Sequence, residues 1–508
     1  MGKKIYPVID LFAGPGGLGE GFSVIRSRAK TPVFLPVASF ECDQYAHQTL
    51  RLRHFFRLFD LNTPLEYYQY LAGKITLAEL AGAYPFQWEE ANLSACRATL
   101  GKEETHEAVK KLINDRLKGQ RKWVLVGGPP CQAYSLVGRS RRAQDPDFEQ
   151  DEKQLLYREY LKIIADHQPP VFVMENVKGL LSAKLKGESI LQKILRDLAR
   201  PEIALEKKDN GLKYRLYSLS QEGAYAEDTD PSSFIVRAEE YGVPQARHRM
   251  FILGIRSDLK VEPEILEKQT APTVEDVIGS LPRVRSGISG GPDTQERWEK
   301  LIRKIVADQW FKNSAAADED FDSVVKKLFN DSVIFPTSRI SGFYKKPVTM
   351  LDWFFDERLP VLTGHESRSH MESDIGRYLF AATFAYARGV SPKLSDFPRA
   401  ILPHHKNVEE GRTGKMFSDR FRVQLRNRFS TTVTSHISKD GHYFIHYDPV
   451  QCRSLTVREA ARLQTFPDNY HFEGPRTAQY HQVGNAVPPY LAAKIARVVE
   501  KILAGMDD

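Results

Sequence analysis

The stretch 5-IYPVIDLFAGPGGLGEGF-22 decides the fold. Ile5 to Leu11 is a short apolar run of β type, Ala13-Gly14-Pro15-Gly16-Gly17 is a turn, and Leu18 onward can start a helix. Glycines between a strand and a helix let the backbone approach a ligand closely, and a helix N-terminus favours negative charge. One reading is a nucleotide-type cofactor at the carboxyl end of the first strand. The other is a tight turn that needs glycine for its own geometry. No GxxxxGK[ST] follows, which disfavours an ATP phosphate loop.

Outward from this stretch the alternation repeats. Strand candidates are Val33 to Phe40 (closing on Glu41), Trp123 to Val126 (running into Gly127-Gly128-Pro129-Pro130-Cys131), Val171 to Met174 (running into Glu175-Asn176) and Met250 to Ile255. Helical patterns separate them, notably Gln154 to Asp166 and Gly187 to Leu198. Alternating strands and helices imply an α/β fold with a mostly parallel sheet covered on both faces. The pattern fades after Ser257 and returns at Leu455 to Phe466 and Val487 to Ile502. The expected organisation is therefore a domain over 1–256 with a helical insertion at 55–120, a separate module over 257–451, and a C-terminal part, 452–508, that completes the first domain.

Composition bounds the rest. The chain has 508 residues, 72 Lys+Arg against 65 Asp+Glu, 42% hydrophobic and 27% charged residues. That excludes dominant disorder, and at about 150 residues per domain it suggests roughly two to four domains. The charge of +7 permits a polyanionic partner without proving one. Apolar runs stay far below the ~20 residues of a membrane span, and the start, broken by Asp10, does not read as a secretory signal. Four scattered cysteines with no CxxC pair suit a reducing cytoplasm and give no metal site.

Four further segments carry candidate chemistry. In GGPPCQAYS (127–135), Cys131 directly follows a strand behind two stiff prolines, poised as a thiolate nucleophile or simply a small buried hydrophobe. In ENV (175–177), Glu175 at a strand end would serve as an acid if burial keeps it protonated, or is a solvated loop residue. In QARHR (245–249), Arg247 and Arg249 project to one side of a strand and suit a carboxylate or phosphate, or form an exposed edge pair. Between Lys415 and Arg428, Arg420, Arg422 and Arg426 are interleaved with Phe417 and Phe421, which suits phosphate and base-edge contact or a solvated face.

Taken with RSLTVREAARLQ (453–464) and QVGNAVPP (482–489), these blocks in this order resemble the DNA (cytosine-5)-methyltransferase family, over 5–54, 121–256 and 430–502. The resemblance implies a Rossmann-like methyltransferase domain that uses S-adenosylmethionine, with 257–451 as an inserted target-recognition domain. It implies that Phe12, Ala13, Gly14, Gly16, Gly17, Glu41, Cys42, Pro130, Asn485 and Ala486 bind the cofactor. Cys131 would be the nucleophile at cytosine C6, Glu175 the acid at N3, Arg249 with Arg247 the anchor of the base, and Asn176 the brace of the ENV turn. Gln132, Ser135, Arg139, Arg141, Arg142, Arg420, Arg422, Arg426 and Thr434 would contact DNA. The expected partner is double-stranded DNA, with defence-system proteins beside it, in a monomeric, nucleoid-associated cytoplasmic enzyme that needs no metal and marks host DNA. An RNA cytosine-5 methyltransferase and a non-catalytic DNA-binding scaffold are the alternatives. Pro129 stands where many members carry an aromatic, and the insertion obscures the acidic residue that would meet the cofactor adenine.

Overall fold

The computed structural model describes residues 5–130, 152–185, 187–226, 230–330, 332–403, 408 and 418–506. Strand β1 (Tyr6–Leu11) is buried along its whole length, as a strand covered on both faces must be. It pairs in parallel with β2 (Phe34–Glu41) on one side and β4 (Val124–Gly127) on the other. Strand β3 (Ala95–Arg97) continues the parallel pairing beyond β2, and β5 (Val171–Val177) continues it beyond β4. Strand β9 (His248–Arg256) runs antiparallel to β5 and also receives β6 (Tyr214–Tyr217) and β7 (Ile235–Arg237), while the two-residue β8 (Gln245–Ala246) just before it pairs in parallel with Ser430–Thr431 outside this sheet. The order is β3-β2-β1-β4-β5-β9-β6, with β7 on β9. The fold is thus α/β with a mixed, mostly parallel sheet.

Three strands, β3, β6 and β7, do not stand out in the sequence, and β5 runs on through Glu175 and Asn176. The chain crosses from β2 and β3 on one side of β1 to β4 and β5 on the other. In open α/β sheets ligands bind outside the carboxyl ends of the strands at that switch point. The segments found there are Phe12–Gly17 after β1 and Gly128–Pro130 after β4.

Alternation along the strands feeds two cores. Tyr6 and Val8 of β1 join Val124, Val126, Val171 and Val173 under helices α1 (Gly17–Ser23) and α15 (Pro489–Ala504). Ile9 and Leu11 face the other way, with Leu125, Phe172 and Met174, under α6 (Glu103–Leu117), α7 (Glu152–His167) and α8 (Ile190–Ala199). On α15, Leu491, Ile495, Val499, Ile502 and Leu503 are at most 1% exposed. Each such burial contributes about 1.5–3 kcal/mol before conformational entropy is counted.

Helix α2 (Gln44–Arg57) leads into α3 (Leu65–Leu71), α4 (Leu77–Ala83) and α5 (Pro85–Ser94). They enclose an aromatic core that includes Phe55, Phe56, Tyr67, Tyr68 and, from far along the chain, Leu359. Between β9 and residue 452 a further core gathers Trp298, Leu301, Ile302 and Ile305 of α9 (Gln295–Ala307). Phe311 of α10 (Gln309–Ala316), Phe321 of α11 (Glu319–Leu328) and Ile375, Tyr378 and Leu379 of α12 (Glu372–Arg388) complete it. The start of this segment belongs elsewhere: Val274, Val277, Ile278 and Leu281 pack with α13 (Val457–Leu463) and α14 (Arg476–Asn485). Among the described residues no helix is long and apolar enough to cross a membrane.

Close approach of α1 to α15 rests on missing side chains. A Cβ on Gly21 would overlap Ala492, both its Cβ and its backbone. Gly21→Ala must therefore push the two helices apart, and overpacking of this kind costs about 1–3 kcal/mol. The expected outcome is a lower urea midpoint with an unchanged slope.

Candidate active site

The turn after β1 is built on left-handed backbone: Phe12 has φ 57°, Gly14 φ 59° and Gly16 φ 97°. The first is costly for a bulky residue; the other two need glycine. The Gly16 amide closes the turn on the Ala13 carbonyl at 2.9 Å, and the Ala13 amide reaches Phe40 of β2 at 2.9 Å. Glu41, at the end of β2, accepts from the Gly14 amide at 2.8 Å and from the Asp43 amide at 2.7 Å. Cys42 beside it is exposed. Behind the turn, a Cβ on Gly17 would overlap the Val487 carbonyl, so the glycine turn and the GNAVPP block touch backbone to backbone. Asn485 in that block is exposed, its amide 3.1 Å from His481 Nδ1, while Ala486 is buried.

On the neighbouring strands Arg249 of β9 pairs with Val177, and Phe251 with Glu175. Glu175 and Arg249 are therefore diagonal neighbours on one face, and Arg249 Nε lies 3.3 Å from Glu175 Oε1. The Glu175 side chain is only 14% exposed. Burial pushes its carboxyl above the usual carboxylate range, while Arg249 and then Arg247 pull it down. The backbone of Gly128 is pressed onto this group: a Cβ there would sit 2.8 Å from Glu175 Oε2. Asn176 reaches back to the Pro129 carbonyl at 3.5 Å and uses its own Oδ1 to hold the Val177 amide at 2.7 Å. Half-buried Pro130 ends the described part of this loop.

Arg247 takes a different position. It is 2% exposed and donates to the Val433 carbonyl at 2.9 Å and the Gly484 carbonyl at 3.2 Å. Burial and the charge of Arg249 lower its pKa well below the ordinary value. Thr434 is half-buried against Gly484, where a Cβ would overlap the Thr434–Ser435 backbone. Of the arginine patch, Arg426 makes a two-pronged ion pair with Glu275 at 2.8–3.1 Å, Arg422 pairs with Asp419, and Arg420 has no ion pair among the described residues. Cys131, Gln132, Ser135, Arg139, Arg141 and Arg142 lie outside the described residues, as do Lys415 and Phe417.

The sequence profile described as C-5 cytosine-specific DNA methylase matches residues 102–501, well over half of the chain. The chain belongs to that family. The type II methyltransferase M.Bpa9945I of Bacillus paralicheniformis is 33% identical over 520 aligned positions, covering 98% of this chain and 99% of that protein. M.DdeI of Desulfomicrobium norvegicum, also a type II methyltransferase, is 27% identical and covers 73% of this chain and 71% of its own length. M.XorII of Xanthomonas oryzae pv. oryzae is 27% identical, with 75% and 68% covered. The protein is a DNA (cytosine-5-)-methyltransferase, and DNA is its substrate.

Two residues that pack against these candidate groups escape sequence reasoning. Gly128 carries no chemistry of its own, and only its contact with Glu175 reveals it. Asp10 sits inside the quoted stretch as one more strand residue, yet it is 0% exposed and neither carboxyl oxygen makes a well-aligned hydrogen bond. Burial pushes its pKa up to about 8, with the Gly19 amide opposing and Glu41 adding. The folded value thus exceeds the unfolded value of about 3.9. Stability from this group is present below pH 4 and is lost as the pH rises to 8, because the unfolded chain releases a proton that the fold retains. Asp10→Asn is expected to remove that loss. Relative to wild type its unfolding free energy should gain up to about 1.4 kcal/mol per pH unit between pH 4 and 8 in urea titrations.

Proposed function

We propose that this enzyme uses S-adenosylmethionine to methylate C5 of a cytosine flipped out of duplex DNA, through a covalent bond from Cys131 to C6. One observation carries the reading: a buried carboxyl, Glu175, is held on Arg249 and capped by Gly128, on the loop that leads directly to Cys131. The residues around the first turn fit the cofactor. Phe12, Ala13, Gly14, Gly16 and Gly17 would line it, and Glu41 has lone pairs left for hydroxyl groups. Cys42, Pro130, Asn485 and Ala486 would border it. When bound, S-adenosylmethionine supplies the electrophilic methyl group that C5 accepts.

The chain's own groups make C5 reactive. Cytosine C5 is a poor nucleophile, so the Cys131 thiolate adds to C6 while Glu175 gives a proton or hydrogen bond to N3, turning the ring into an enamine. Burial raises the Glu175 pKa against the pull of Arg249 and Arg247, which is the direction a proton donor to N3 needs. Once C5 carries the methyl group, its proton passes to water, the C5–C6 double bond re-forms and the C6–S bond breaks, releasing the Cys131 thiolate. Arg249 orients Glu175 and the base, Asn176 holds the two loops in register, and Arg247 positions the strand that carries Arg249. Extrusion of the base costs a few kcal/mol. Contacts from Gln132, Ser135, Arg139, Arg141, Arg142, Arg420, Arg422 and Thr434 would offset that cost, with Arg426 joining once freed from Glu275. Residues 257–451 are the proposed target-recognition domain. The type II methyltransferases among its relatives support host DNA modification, in restriction–modification or phage defence, as the setting.

Single-base mapping of 5-methylcytosine on unmodified DNA incubated with S-adenosylmethionine tests this. Wild type should methylate one short motif and Cys131→Ser none. Gly128→Ala, which must displace the Glu175 carboxyl, should slow methylation at least tenfold with cofactor affinity unchanged. Methylation by Cys131→Ser, or of RNA alone, would overturn the reading.

A further inference from the structure

Tyr470 lies in the FPDNY segment after α13, 455 residues from the turn that it contacts. Its ring is 0% exposed, packed edge-on against Phe466 with centroids 4.7 Å apart, and the Arg53 guanidinium lies 4.6 Å from the ring centroid. Its hydroxyl donates to the Pro15 carbonyl. Its own backbone is fixed as well: the Tyr470 amide donates to Pro467 at 3.0 Å, and Arg458 donates to the Tyr470 carbonyl at 2.9 Å.

A trans peptide is planar, and its carbonyl and the following N–H point in opposite directions. The Pro15–Gly16 peptide is held on both sides, its carbonyl by Tyr470 and its N–H by the Ala13 carbonyl at 2.9 Å. Neither bond alone stops the plane from rotating; together they lock it. The lock sits between Gly14 and Gly16, whose left-handed φ values make this the most permissive backbone in the turn. A Cβ on Gly16 would meet Leu50 Cδ1 at 2.8 Å and the Tyr470 hydroxyl at 3.1 Å, so the hydroxyl also bounds the space into which the turn could collapse.

We infer that Tyr470 is a positioning residue for the cofactor: its hydroxyl preorganises the glycine turn through the Pro15 carbonyl. This rests on the reading that S-adenosylmethionine occupies that turn. Preorganised binding avoids the cost of ordering a loop, and a loop free to rotate loses affinity. Tyr470→Phe removes one buried hydroxyl and keeps the ring that packs on Phe466 and Arg53.

The test compares wild type and Tyr470→Phe by calorimetric titration with S-adenosylhomocysteine and by amide hydrogen exchange of the free proteins. The expected result is about tenfold weaker S-adenosylhomocysteine binding, unchanged affinity for duplex DNA, and faster exchange at the Gly16 amide. If the variant is too unstable to titrate, exchange at Gly16 is compared with exchange at core amides of β1, and a selective gain at Gly16 supports the inference. Equal S-adenosylhomocysteine affinity, or exchange raised uniformly across the fold, would overturn it. No binding by wild type would instead remove the cofactor reading on which it rests.

Discussion

The arrangement of the segments around the glycine turn depends on one buried polar junction. Gln245 donates to Gln464 Oε1 at 2.7 Å and to the Leu463 carbonyl at 3.2 Å, and its own Oε1 accepts the Val433 amide at 2.8 Å. Gln464 passes the connection on to the carbonyls of Val483 and Ala486 at 2.7 and 3.1 Å, and Arg247 ties Val433 to Gly484. Three side chains thereby fasten the strand bearing Arg249, the segment bearing Thr434, and the GNAVPP block behind the glycine turn. An unpaired amide in such a place costs about 1–3 kcal/mol, so these segments meet in one arrangement or lose several bonds together.

The neighbouring α13 block shows why so charged a sequence can lie in the interior. Arg453 and Arg462 are 0–1% exposed and Arg458 is 1% exposed. Arg453 grips both oxygens of Glu459 at 2.6 and 2.7 Å, and Arg462 does the same to Asp468 at 2.8 and 2.9 Å. Glu459 is also the capping-box partner of Thr456, so one carboxylate starts the helix and neutralises an arginine. Buried pairs of this kind add little net stability, since desolvation offsets the attraction. They discriminate sharply against any register that leaves a charge alone.

How far the sequence reached follows from the same physics. Strands β1, β2, β4 and β5 announce themselves because both faces are covered and their apolar runs are continuous. Strand β6 reads YRLY, with Arg215 engaging Glu262 and two nearby carbonyls, and a charged residue in a short run hides it. Apolar runs do not reveal the helices of 257–451 because their burial is periodic: Trp298, Leu301, Ile302 and Ile305 occupy one face of α9. Of the candidate residues, those of the first turn, Glu41 and Glu175 stand out because each closes or follows an apolar run, and Arg249 because it stands with Arg247 just ahead of one. Arg426 has a partner that its own segment does not reveal, Glu275, 151 residues away. Gly128 and Asp10 were silent because what matters about them is a neighbour on an adjacent element.

The insertion after α2 has a mechanical consequence of its own. Arg53 and Arg57 both grip Glu20 of α1; burial alone would raise that carboxyl, but the two guanidiniums hold it at about 2. On the opposite side Tyr68 donates to Asp356 at 2.6 Å, Arg358 to the Leu61 carbonyl at 2.9 Å, and Asn469 to Asp356 at 2.8 Å. Arg53 also reaches Asn469 at 3.0 Å. A continuous set of hydrogen-bonded side chains thus runs from the helix behind the glycine turn, through α2 and α3, to residues 356–358 of the long segment. Interiors are close-packed and do not deform smoothly. Any shift of the segment around Asp356 must therefore break one of these bonds, or move α1 and the turn it carries along with it.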